Sequence, residues 1–277
     1  MTNTGMTNTG TTNTGMSEAS KTPAGPAPTV RAGPTATRAA GRTAGGTDVE
    51  QIYHALREVS SPAERDKVTR RLPSDSGLAA VGVRMREVFD LAKSATDLPL
   101  PAVPDLLASR WYEVRMVGVA ILDFKARRRG LTSDDRRALY EVYLNNHDRL
   151  TAWDFIDRAA PRVVGAYLLD RSRQPLFDLA RSQVALERRT AITAAFWLIG
   201  SGDLDDPLAL AQMLVADASP WVTKPVGTAL RQVGTIDEQA LVDFLRRHHQ
   251  DMTRPSLRLA TSHLDEDVRA EFIRPRR

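Results

Sequence analysis

The chain has 277 residues, 42% of them hydrophobic and 26% charged, with no Cys and a formal net charge of +4. Without a thiol there is no disulfide framework, no thiolate nucleophile and no Cys-ligated zinc or iron–sulfur centre, which suits a cytoplasmic protein. No run of about 18 apolar residues reads as a membrane span, and no apolar core flanked by basic residues marks a secretory leader.

The first segment repeats Met1-Thr2-Asn3-Thr4-Gly5 as Met6-Thr7-Asn8-Thr9-Gly10 and then becomes a Pro/Ala/Gly/Arg stretch ending near Gly46, with no aromatic residue. Such a segment buries too little apolar surface to offset an ordering entropy of about 1–2 kcal/mol per residue. Residues 1–47 are therefore expected to form a disordered low-complexity tail, with the folded domain over 48–277. The tail holds Lys21, Arg31, Arg38 and Arg42 against Glu18 alone, which leaves 34 basic and 33 acidic side chains in the remainder. A nearly neutral body can bind nucleic acid if its cations are sorted onto one face.

From Asp48 onward apolar residues recur at three and four, the helical period. Ile52, Leu56 and Val59 share one face, as do Leu210 with Leu214, Val226 with Leu230 and Val233, and Leu241 with Leu245. Ser61-Pro62-Ala63-Glu64 reads as a helix start with a capping hydroxyl, a first-turn Pro and a reciprocal Glu, and Thr235 with Glu238 repeats the pattern. The run Lys125, Arg127, Arg128 and Arg129 before Gly130 complements a helix C-terminus. Short polar connections such as Gly200-Ser201-Gly202-Asp203 make successive helices antiparallel neighbours.

Cationic landmarks supply a ruler. Arg115, Arg189, Lys224 and Arg258 are separated by one double and two single steps of about 35–37 residues, and the missing landmark near 152 falls on Thr151-Ala152-Trp153-Asp154-Phe155-Ile156-Asp157. That period suits a two-helix repeat stacked into a solenoid. The predicted fold is all-α, a superhelical solenoid of HEAT-like antiparallel helix pairs, with Arg115, Trp153, Asp157, Arg189, Lys224 and Arg258 facing one groove.

Trp153 and Asp157 are four apart and share a helix face. An aromatic face beside a carboxylate can hold a cation; equally, a core Trp and a capping Asp produce the same spacing. Residues 80–273 resemble the bacterial DNA alkylation repair glycosylases of the AlkD family. The resemblance rests on Val81-Gly82-Val83-Arg84, Tyr112-Glu113-Val114-Arg115, Trp153-Asp154-Phe155-Ile156-Asp157 with Ala160-Pro161 and Val164-Gly165, Glu187-Arg188-Arg189-Thr190-Ala191-Ile192, Gly202-Asp203-Leu204, Lys224-Pro225-Val226-Gly227 with Leu230-Arg231, and Leu257-Arg258-Leu259-Ala260.

The resemblance implies a glycosylase that removes cationic N3- or N7-alkylated purines from double-stranded DNA without fully flipping the base. By it Asp157 is the catalytic carboxylate and Trp153 its partner against the sugar. Arg189 lies in the groove, and Lys224, Arg231, Arg258 and Arg115 lie along the DNA. It implies no metal, redox group or other cofactor, no obligate protein partner, monomeric action and a cytoplasmic, nucleoid-associated location. The chain departs from the family in having Thr228 where a second groove Trp often stands, Ala185-Leu186 where a Trp often precedes the Glu-Arg-Arg run, and Arg70-Arg71-Leu72 near the place of an N-terminal Tyr. These departures leave open weaker activity, a glycosylase for bulkier adducts, or a non-catalytic binder of distorted or branched DNA; separately, a helical solenoid can serve as a protein-interaction scaffold, since fold alone does not set function.

Elsewhere, the adjacent His248-His249 pair reads as a solvated face, and Asp203, Asp205 and Asp206 as helix N-terminal acids. Trp111, Trp197 and Trp221 read as packing residues between helices.

Overall fold

In a computed structural model of the chain, residues 45–74 and 76–273 are described. The tail expected over 1–47 lies outside them apart from Gly45–Thr47, which begin the first helix. The helices in order are α1 (Gly45–Glu58), α2 (Pro62–Arg71), α3 (Met85–Ser94), α4 (Val103–Leu107), α5 (Tyr112–Ala126), α6 (Ser133–Asn145), α7 (Trp153–Ala160), α8 (Ala166–Leu168), α9 (Gln174–Ala180), α10 (Ala185–Gly200), α11 (Asp205–Leu214), α12 (Pro220–Ile236), α13 (Glu238–His248), α14 (Arg254–Ala260) and α15 (Glu266–Ile273). Among the described residues there is no strand, only one isolated bridge between Ala79 and Trp111. No helix there is long and apolar enough to cross a membrane.

The helices form two layers. In the first, α5 packs on α7, α7 on α10, α10 on α12 and α12 on α14; in the second, α6, α9, α11 and α13 cover them. This is the predicted all-α solenoid. Its pattern explains the sequence: α5 is buried on all sides from Tyr112 to Asp123, and α10 carries a buried run from Arg189 to Ala195, because each has a helix on either side and another behind. The ruler lands on equivalent positions. Asp157, Arg189, Lys224 and Arg258 are each the fifth residue of their helix, and Arg115 is the fourth of its own.

Small residues set the approach of neighbouring first-layer helices. A Cβ on Gly165 would collide with the Ala194 carbonyl, and one on Gly227 would lie 2.5 Å from the Ser256 carbonyl. Another close approach is held by charge. Glu113, fully buried, accepts the backbone N–H groups of Val81 and Gly82 at 2.8 Å and of Val83 at 3.3 Å, tying the turn before α3 to α5.

Several local expectations are corrected. Val59 lies past the end of α1 and is exposed, whereas Ile52 and Leu56 are core. Ser61 caps Glu64 as predicted, but the Glu64 carboxylate pairs with Lys67 instead of returning to the cap. The second capping box does not form. Helix α12 runs on through Thr235, and Asp237 caps α13 by accepting the Ala240 N–H at 2.9 Å. His249 Nδ1 is 2.8 Å from the Leu245 carbonyl, and no group of three or more potential metal ligands occurs among the described residues. Asp205 and Asp206 do stand in the first turn of α11 as expected, while Asp203 and Asp206 also pair with Arg173 where α9 meets α11.

Candidate nucleic-acid interface and reaction cleft

Helix α7 does not stop at Ala160. Pro161 has no N–H for the carbonyl of Asp157 one turn earlier, and the helix widens into a π turn over Pro161–Gly165 before continuing as α8. Asp157 therefore sits where the helix is locally reshaped. Its carboxylate is gripped side-on by Arg189 from α10, with Nε–Oδ1 at 2.9 Å and Nη2–Oδ2 at 2.6 Å. The same guanidinium lies 5.3 Å from the centre of the Trp153 ring.

A second proline completes the arrangement. Pro225 inside α12 cannot donate to the Trp221 carbonyl four residues back, and Arg189 Nη1 fills that vacancy at 2.5 Å. One guanidinium thus fixes the carboxylate on α7 to the start of α12. Arg189 is only 7% exposed, while Asp157 retains 37% exposure of its side chain and Trp153 43%. Trp153, Asp157, Arg189, Trp221, Lys224 and Thr228 line one open cleft of about 310 Å³. A carboxylate with two lone-pair sites taken by arginine keeps two more for water or a cation.

The cations beyond the cleft follow the helix period. Lys224, Thr228 and Arg231 occupy positions i, i+4 and i+7 of α12, and Arg258 projects from the adjacent α14. Lys224 and Arg258 are exposed, Arg231 is half-buried, and none of the three has an acidic partner among the described residues. Arg115 differs. It is 8% exposed and donates to the carbonyls of Ser109 at 2.5 Å and Arg149 at 2.7 Å, with burial lowering its pKa from the usual arginine value. Its place matches the ruler, but its Nε and Nη1 are engaged in bracing the turns before α5 and α7.

A buried pair supports the base of α7. Tyr112 donates its hydroxyl to Asp154 Oδ2 at 2.5 Å, and burial, reinforced by the Asp154 charge, raises the Tyr112 pKa. Burial also raises the Asp154 carboxyl above its ordinary 3.8, and its Oδ1 has no partner. Arg71 and Leu72 join Trp153, Tyr112 and Asp154 around a recess of about 20 Å³.

A family model described as DNA alkylation repair enzyme matches residues 52–264. The chain belongs to that family. A solved structure titled "Predicted DNA alkylation repair enzyme from Enterococcus faecalis" shares the fold, with a TM-score of 0.57 over 75% of this chain and 97% of that one at 13% identity. No curated protein matches. Membership in the DNA alkylation repair family gives the protein a role in alkylation repair and makes DNA its macromolecular partner.

In this alkylation repair protein the departures seen in sequence have a structural sequel. Thr228 lines the cleft. The aromatic wall is nevertheless supplied, by Trp221, which the sequence reading assigned to packing. Trp111 and Trp197 do pack, Trp111 stacked on Tyr53 at 5.0 Å and Trp197 beneath the Arg162 guanidinium. A signal for Trp221 was present: a tryptophan four residues before a helix-interior proline has an unclaimed carbonyl, and buried carbonyls find donors.

Proposed function

We propose that this protein is a monofunctional DNA glycosylase that hydrolyses the N-glycosidic bond of cationic N3- or N7-alkylated purines in duplex DNA. The observation that carries this reading is the single cleft in which Trp153, Asp157, Arg189 and Lys224 meet. Alkylation leaves the purine positively charged, so the C1′–N bond breaks with its electron pair going to the base, which departs neutral and needs no general acid. Positive charge then grows on the sugar. Asp157, oriented by Arg189, stabilises that charge and aligns the water that adds to C1′, loses a proton and leaves an abasic site.

Trp153 packs on the deoxyribose and excludes water, which strengthens the field of the carboxylate. Lys224, Arg231 and Arg258 contact phosphates, positioning the duplex without reading its sequence. Arg189 and Arg115 act as positioning residues. HEAT-like helix pairing, action as a monomer on the nucleoid and the absence of any cofactor requirement belong to the same reading. The deciding experiment is incubation with methylated duplex DNA and chromatography of released bases. Release of 7-methylguanine and 3-methyladenine by the parent, lost in Asp157→Asn, supports it; tight DNA binding with no base released refutes it in favour of a non-catalytic binder.

A further inference from the structure

The cations that close α5 outnumber what a helix end needs. Lys125 stands in the last turn, Arg127 caps it, and Arg128 and Arg129 follow. Attraction to the carbonyl end of a helix falls off within the last turn, so it does not account for Arg128 and Arg129, still less for cations that arrive from other helices. Arg158 and Arg162, on α7 and its π turn, share the one carboxylate of Asp123 with Arg127, which balances a single charge of the three. Arg136 on α6 lines a shallow recess with Arg162 and Tyr167. Lys125, Arg129 and Arg136 form no ion pair among the described residues, and Arg128 pairs with the exposed Asp97. The acids beside Arg136 in sequence are engaged, Asp134 with Arg137 and Asp135 in the box that caps α6. Burial, and then repulsion from Arg128, lowers the Lys125 pKa from the usual lysine value. In a body whose charges nearly balance, this corner holds a positive surplus.

We propose that this corner is a second phosphate-binding surface, which holds the backbone of the same duplex that enters the reaction cleft. The inference rests on DNA being the partner and not on the glycosylase reading. None of the corner's cations lines the cleft. Asp157, Arg189 and Lys224 stand in the early turns of their helices, and Arg115 holds the matching place in α5. Lys125 is ten residues further along α5, about 15 Å at the helical rise, so the corner lies toward the other edge of the stack. A strand offers one phosphate per about 3.4 Å, and contacts here fall several phosphates away from those at the cleft.

The chemistry of the corner favours a nucleic acid over an acidic protein. Protein interfaces are built around an apolar and aromatic centre, whereas DNA interfaces are more polar and far more positive. None of the exposed large apolar side chains lies here. The rings present are spent on the arginines: Arg158 lies against Phe89 and Phe124, and Arg162 against Trp197. Arg127 and Arg162 keep 42% and 37% of their side chains exposed. Planar donors held in this way suit phosphate oxygens, and an arriving phosphate relieves the repulsion between the crowded cations.

The test measures the salt dependence of binding to an undamaged duplex of about three helical turns for four proteins: the parent, the double variant Arg129→Ala/Arg136→Ala, Lys224→Ala, and all three substitutions together. The double variant is expected to flatten the slope of log K against log salt by about two units, and Lys224→Ala by about one. The combined variant should lose the sum, since one duplex touches both surfaces at once and the sites are independent. Arg129 and Arg136 have no ion pair to lose, so the Tm of the double variant should match the parent's. Charge reversal, Arg129→Glu with Arg136→Glu, should deepen the loss of affinity. A parent-like slope in the double variant overturns the proposal and leaves the corner to a protein partner. A combined variant no worse than either of its components overturns it too, because the two surfaces then do not hold one duplex together. Only binding is read, so a parent that releases no base fails the glycosylase reading alone.

Discussion

Two carboxylates on neighbouring first-layer helices hold arginines to opposite effect. Asp123, near the end of α5, is 1% exposed and is met by Arg127 at 2.8 Å, Arg158 at 2.9 Å and Arg162 at 3.4 Å. Arg158 is further sandwiched against Phe89 and Phe124. Asp157, on α7, has one arginine and an open side facing the cleft. A carboxylate surrounded by cations and aromatic rings is a tie between helices. One gripped from behind and open in front is available for chemistry. The number of arginines around each acid separates the two tasks; burial of the arginine does not, since Arg189 is more buried than Arg158.

Paired substitutions sharpen this contrast. Asp157→Asn is expected to lower single-turnover excision by about 10²–10³-fold while thermal stability stays close to the parent's. Asp123→Ala should do the reverse, removing about 1–3 kcal/mol of stability by taking the shared acceptor from Arg127, Arg158 and Arg162, measured by denaturant unfolding. If the two variants behave alike in both assays, the contrast is wrong. Arg189→Ala leaves Asp157 unsupported and the Trp221 carbonyl without its donor, so excision should fall about tenfold or more and stability by about 1–3 kcal/mol; Arg189→Lys keeps the charge but not the two-point grip and should restore stability better than activity.

Asp154 offers a pH test on the same helix. Its carboxyl is raised in the folded state, so the native protein holds that proton more tightly than the unfolded chain does. Its contribution to stability is therefore greatest below pH 3.8 and declines as pH rises through the folded value. Asp154→Asn should remove that decline, seen as a smaller loss of Tm attributable to this site between pH 4 and 7; an identical pH profile in parent and variant rules out the raised carboxyl. The smallest effect is expected at Lys224→Ala and Arg231→Ala, each reducing the salt dependence of duplex binding by about one phosphate contact in a salt titration.

Much of this architecture is legible in the sequence. The 35-residue ruler located the helix position shared by Asp157, Arg189, Lys224 and Arg258, because a stacked repeat returns to the same face each time. What the ruler could not show is depth. Arg115 and Lys224 occupy nearly the same place in their helices, yet one is buried on carbonyls and the other exposed, a difference made by the turns that pass over them. The role of Asp123 was hidden for a related reason: two of its arginines come from a helix that begins 30 residues later, and no local pattern announces them. Trp221 is ambiguous in sequence because its aromatic character points equally to packing and to a wall.

The bare α-carbons of Gly165 and Gly227 set a mechanical tolerance for the stack. Each fixes a backbone-to-backbone separation on one side of α10 or α12, so a single added methyl at either position would act as a wedge between whole repeats. The grip of Arg189 on Asp157 spans such a junction. The alignment of Asp157 with Arg189 is thereby tied to a thickness tolerance of about one atom where Gly165 meets α10.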